Sequence, residues 1–148
     1  RKLVHEKSLI HRSVHILVFN SENKLFLQKR SLQKDENPDL WDCSASGHVD
    51  SGENYDESAS RELWEELGLK TKINFWIKLS ASEKTLWEHV SVYKCISDEK
   101  MTLAPDEISD GKFWDIEDLK YLIENDSEKF TSTLKMIFER LIRSMDND

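Results

Sequence analysis

Cysteine is scarce in this chain. Cys43 and Cys95 are its two, and neither sits in a Cys-x-x-Cys pair. That spacing argues against a disulfide framework or a cysteine-based zinc motif, so both thiols read as reduced and partly buried, a single bridge between them being the alternative left open. No stretch approaches the roughly 18 consecutive apolar residues of a membrane span. No basic-then-apolar segment opens the chain either, so the expected compartment is cytoplasmic, with no membrane partner. Internal repeats and low-complexity linkers are absent. Basic residues are in the minority, 21 Lys and Arg against 29 Asp and Glu, for a formal net charge of −8. Affinity for a phosphate backbone comes from Lys and Arg displacing counterions. A nucleic acid polymer is therefore a poor partner, and a phosphorylated small molecule must bring or meet a cation. With 148 residues, 38% of them hydrophobic, the chain reads as one domain that buries roughly two thirds of its unfolded surface.

What the chain does have is acid at fixed spacing. Residues 47–69 read GHVDSGENYDESASRELWEELGL. On a helix turning about 100° per residue, Glu62, Glu65 and Glu66 fall within an arc of about 100°. Ala59, Leu63 and Leu67 form the apolar stripe beside them. Glu62 and Glu66 are four residues apart and repel, and Arg61 is the neighbouring cation. A divalent cation removes the conflict, since Mg2+ takes one or two carboxylates together with substrate phosphate. A Glu-rich helix is commonly just a solvated face; the complete spacing argues for more here. Asn54 and Glu57 have the N-cap and N3 positions of a capping box. Gly68 can close the helix in the left-handed conformation, with Leu69 as its apolar contact.

The pattern Gly, five residues, Glu, seven residues, Arg-Glu-aliphatic-any-Glu-Glu-any-Gly-aliphatic resembles the Nudix box. The Nudix hydrolases cleave diphosphate linkages in nucleoside diphosphates joined to another moiety, with Mg2+ or Mn2+. The resemblance implies metal held by Glu62, Glu65 and Glu66, with the Gly47 carbonyl as a further ligand. Glu53 and Arg61 would tie loop to helix. Glu107 lies where several Nudix enzymes carry an additional glutamate, so Glu66 or Glu107 is the expected general base. Arg30 and His48 are candidate substrate-binding residues; a solvated strand end and an ordinary hydrogen-bonding loop histidine are the plainer readings. Trp76 and Trp87 could stack on a nucleobase or belong to the core.

A narrower resemblance covers about residues 5 to 70. Ile10-His11-Arg12, Leu27-Gln28-Lys29-Arg30-Ser31, Pro38, Trp41 and Gly47-His48 look like Nudix proteins related to isopentenyl diphosphate isomerase. His11 and His48 match two of that family's metal-binding histidines, His5 is a third candidate, and Glu88 matches one of two later glutamates. Its catalytic cysteine precedes the Gly-His pair, where this chain has Ser46, and Cys43 comes three residues too early. A serine hydroxyl is far less acidic than a thiol. The isomerase box is also degenerate, whereas this one is intact. Hydrolysis is the expected reaction, with an isomerase and a non-catalytic nucleotide-binding module as the alternatives.

Periodicity places the remaining elements. Residues 15–20 and 25–30 read as a hairpin, 31–42 as a loop, and 43–46 as a short strand. Residues 72–79 and 89–96 read as two further strands, and 112–114 as a brief one. Asp115 caps a short helix ending near Glu124. Phe130, Leu134, Ile137, Phe138, Leu141, Ile142 and Met145 recur at helical spacing. Their stripe reads as core, with a homodimer surface as the other possibility. Together these predict an α/β fold, a mixed β-sheet between helices in an α/β/α sandwich, as the Nudix resemblance also implies. Residues 1–12 form an N-terminal extension.

Overall fold

The computed structural model describes residues 11–85 and 87–146. His5, the rest of the extension as far as residue 10 and the side chain of His11 lie outside the described residues. Among the described residues, seven strands and three α-helices follow in the order β1 (His11–Phe19), β2 (Leu25–Arg30), β3 (Trp41–Asp42), β4 (Ala45–His48), α1 (Tyr55–Leu67), β5 (Asn74–Leu79), β6 (Glu88–Ile96), β7 (Ile108–Trp114), α2 (Ile116–Asn125) and α3 (Ser132–Asp146). The strands make one mixed sheet, in which β1 runs parallel to β6 over nine residue pairs while the other pairings are antiparallel.

Alternation along the strands divides the core in two. Val14, Ile16, Val18 and Phe26 join Ala59, Leu63 and Leu67 of α1 on one face. Leu17, Leu25 and Leu27 join Leu119 of α2 and Leu134, Ile137, Phe138 and Leu141 of α3 on the other. Successive strand side chains point to opposite faces, so each strand serves both layers. The result is the expected α/β/α sandwich, and the stripe of the last helix docks within the domain.

Several boundaries differ from the expected ones. β1 begins at His11 rather than at 15, because parallel pairing with β6 extends it. The loop expected over 31–42 contains β3, and the strand expected at 43–46 runs 45–48 and takes in Gly47. The brief strand expected at 112–114 starts at Ile108, and Phe130 precedes the last helix, bridging to Trp41.

One difference shapes the molecule. β1 and β2 do form an antiparallel connection, but they pair only at Phe19↔Leu25. Beyond that point they diverge. β4 takes the free side of β1, pairing Ser13↔His48 through Ile16↔Ala45, while β3 and β7 take β2. The cleft between the splayed strands is lined by residues from β1, β2, β4, β6 and α1, with Thr131 and Thr133 near the start of α3.

Candidate active site

Helix α1 is fixed at both ends before it presents any chemistry. The Asn54 side chain accepts from Glu57 N at 2.8 Å and the Glu57 side chain accepts from Asn54 N at 3.1 Å. Gly68 closes the helix at φ 68°, its N–H donating to the Trp64 carbonyl. Ala59, Leu63 and Leu67 are buried against the sheet. The acidic side therefore faces β4 and the cleft.

Glu66 is buried. Its Oε1 accepts from Gln28 Nε2 at 2.6 Å and from Ser46 N at 3.4 Å. Burial, reinforced by the charge of Glu62, pushes its carboxyl well above the ordinary glutamate range. Glu62 is held up to about 7, first by burial, with Arg61 opposing and Glu65 adding. Two adjacent carboxyls, both raised by burial, suit a hard divalent cation, which favours their ionised form. Gly47 completes the contact. A Cβ there would lie 1.6 Å from Glu62 Oε2, so only glycine lets the β4 backbone and this carboxylate meet. The donor set and the cradle both fit Mg2+ or Mn2+.

Arg61 is the hub of the loop before α1. It donates to Glu53 (Nε to Oε2, 2.9 Å), to Glu62 at 3.2 Å and to the His48 carbonyl at 3.2 Å, and pairs with Asp50 at 3.3 Å. Glu53 also accepts from the Ser58 hydroxyl at 2.7 Å. The Arg61 and Ser58 hydrogen bonds hold the Glu53 carboxyl at about 2. Glu65 departs from the picture of three equivalent carboxylates: it lies 3.0 Å from Arg61 and is half exposed, whereas Glu62 and Glu66 are enclosed.

The remaining candidates gather around the same cleft. Arg30 donates through Nε to the Glu36 carbonyl at 3.0 Å and reaches Asp42 Oδ2 at 3.5 Å. Glu107 lines the opening and is ion-paired with Lys34. His48 Nε2 lies 2.7 Å from Glu88 Oε2. Burial alone would raise Glu88; the hydrogen bond and charge of His48 outweigh it and hold the carboxyl at about 2. Trp76 and Trp87 do not line the cleft: Trp76 packs against the core beneath Lys94, and Trp87 is exposed at φ 62°. Sequence reasoning gave no role to Gln28, His15, Asp42 or Lys34. The one available signal was a polar residue ending the apolar run Leu25-Phe26-Leu27, which is where Gln28 turns inward to Glu66.

Known proteins share this domain and this fold. The model of the NUDIX domain matches residues 9–134. The Nudix hydrolase PA4841 of Pseudomonas aeruginosa is 37% identical over 118 residues, covering 76% of this chain and 68% of that protein. Isopentenyl-diphosphate Delta-isomerase 2 of Photorhabdus laumondii is 32% identical over 143 residues, covering 93% of this chain and 81% of that protein. The crystal structure of DR0079 from Deinococcus radiodurans superposes with a TM-score of 0.80 at 30% identity, over 88% of this chain and 82% of that one. With the family model matched over most of its length and the glutamate helix packed at the cleft, the chain belongs to the NUDIX domain family, as a pyrophosphohydrolase.

Proposed function

We propose that the chain hydrolyses a diphosphate linkage in a nucleoside diphosphate derivative or a similar small phosphorylated molecule, with Mg2+ or Mn2+. The observation that carries this is the enclosed pair Glu62 and Glu66 beside Gly47. Glu62 and Glu66, with Glu65 and the Gly47 carbonyl, would hold the cation; when bound, it supplies positive charge to the phosphoryl oxygens and makes water more acidic. Glu66, oriented by Gln28, or Glu107 at the opening takes the proton of the attacking water. As water oxygen bonds to phosphorus, the bridging P–O bond breaks and its electrons leave with the departing phosphate. Arg30 binds a phosphoryl oxygen, His48 meets the substrate with its imidazole, and the Glu53–Arg61 pair keeps loop and helix in register.

Glu66→Gln tests the assignment. It keeps the shape and removes a group that can ionise to hold a cation or take a proton, so the variant folds while turnover falls by orders of magnitude; wild-type turnover would refute the role. The substrate comes from a screen of the purified chain with Mg2+ against nucleoside di- and triphosphates, dinucleotides, nucleotide sugars and isoprenoid diphosphates, with products identified by mass.

A second reading is isomerisation of isopentenyl diphosphate, favoured by the His48–Glu88 pair and the isomerase relative. Ser46 in place of the cysteine argues against it. Conversion of isopentenyl diphosphate without phosphate release would establish it.

A further inference from the structure

Behind the acidic wall of the cleft lies a second group of donors that diphosphate chemistry leaves unused. His15 of β1, Asp42 of β3 and Cys43 immediately after it each bring one donor atom, and these atoms all lie within 4.8 Å of one another. All three residues are buried, at 6%, 5% and 0% exposure. The Cys43 thiol is free. His15 Nδ1 is enclosed without a hydrogen-bond partner. An unsatisfied buried polar group is costly and calls for a reason. Asp42 is already oriented: its Oδ1 accepts from Cys43 N at 2.7 Å and from the Thr131 hydroxyl at 3.1 Å, and its Oδ2 faces Arg30 at 3.5 Å. A carboxylate offers about four acceptor positions, so one is left. Neighbouring residues on a strand face opposite ways. Here β3 ends at Asp42 and β4 starts at Ala45, so the bend between them lets residues 42 and 43 converge.

We propose that His15, Asp42 and Cys43 form a binding site for a borderline transition-metal ion, Zn2+ foremost, distinct from the carboxylate site on α1. The donor set decides the metal. Imidazole and thiolate favour Zn2+, whereas Mg2+ takes oxygen ligands. Zn2+ bonds of about 2.0–2.3 Å put tetrahedral ligand atoms about 3.5 Å apart, inside the 4.8 Å that bounds the group, so any wider pair closes on binding. The Cys43 proton leaves to solvent, and the thiolate and Asp42 carboxylate balance the ion's two charges. His15 and Asp42 both line the cleft, which gives the ion its route in. Thr131 and Arg30 are the outer partners that hold Asp42. No sequence motif announces the site, because its ligands come from two separate strands and the bend after the second.

The test uses the full chain loaded with Co2+ in excess Mg2+, which fills the carboxylate site. One equivalent of Co2+ is expected to give the intense near-ultraviolet absorption of a thiolate–cobalt bond, displaced by one equivalent of Zn2+. Cys43→Ser abolishes that band; Cys95→Ser and Glu66→Gln retain it. Thr131→Val weakens the ion's affinity by about 10-fold, as loss of an outer partner does. No thiolate band in the wild-type chain, or one that survives Cys43→Ser, overturns the site. Should Cys43→Ser fail to fold, X-ray absorption of the Zn2+-loaded wild-type chain decides. One sulfur neighbour at about 2.3 Å supports the proposal, and a shell of nitrogen and oxygen alone overturns it.

Discussion

A methyl group at position 47 would sit 1.6 Å from Glu62 Oε2. The clash is with the far end of a flexible side chain, so Gly47→Ala is expected to fold with a small loss of stability while driving the Glu62 carboxylate out of place. Misplacement by about 1 Å costs about 100-fold in turnover, and Mg2+ titration should show weaker binding alongside it. Gln28 acts at one remove. Its 2.6 Å hydrogen bond orients Glu66, so Gln28→Leu should lower Mg2+ affinity by about 10- to 100-fold, as loss of an outer-shell partner does. Affinity equal to wild type in calorimetry would leave Gln28 a packing residue only.

Helix α1 carries its own punctuation, so its contribution separates from the chemistry. Asn54→Ala removes one half of the capping box and is expected to cost about 1 kcal/mol in urea unfolding, with substrate turnover nearly unchanged because the cap lies at the far end from Glu66. This helix was the most legible element in the sequence: both caps, the buried stripe and the position of Glu62 and Glu66 follow from local spacing alone. What was not legible depends on contacts between distant segments. Residues 15–20 and 25–30 carry every sign of a simple hairpin, yet β1 leaves β2 after one pair, and β4, which starts 26 residues after β1 ends, takes that edge. That divergence opens the cleft, and no periodicity records it. Glu65 likewise shares the helical arc of its two neighbours, but Arg61, itself anchored by Glu53, draws it toward solvent. His15 reads as an ordinary strand residue and Asp42 as the end of a loop until the fold encloses them together.

For the whole molecule, the carboxylates displaced by folding set how stability varies with pH when no metal is bound. Glu62, at about 7, and Glu66, also raised by burial, hold their protons in the folded chain after the unfolded chain has lost them. From the ordinary value of 4.5 upward through about 7, the folded state thus binds more protons, and stability falls as pH rises. Glu53 and Glu88, at about 2, have the opposite sign. The stability they contribute is present above 4.5 and is lost as pH falls toward 2. A stability maximum near pH 5 is therefore expected in the presence of a chelator. A divalent cation binds the ionised form of Glu62 and Glu66, so Mg2+ should raise Tm much more at about pH 8 than at about pH 5; at 100 times its Kd the gain is about 2.7 kcal/mol. Thermal unfolding across this range, with and without Mg2+, checks both signs at once. A flat metal-free profile between about pH 5 and pH 8 would mean that the two carboxylates are solvated, and a Mg2+ effect of equal size at both ends would place the ion elsewhere than on that pair.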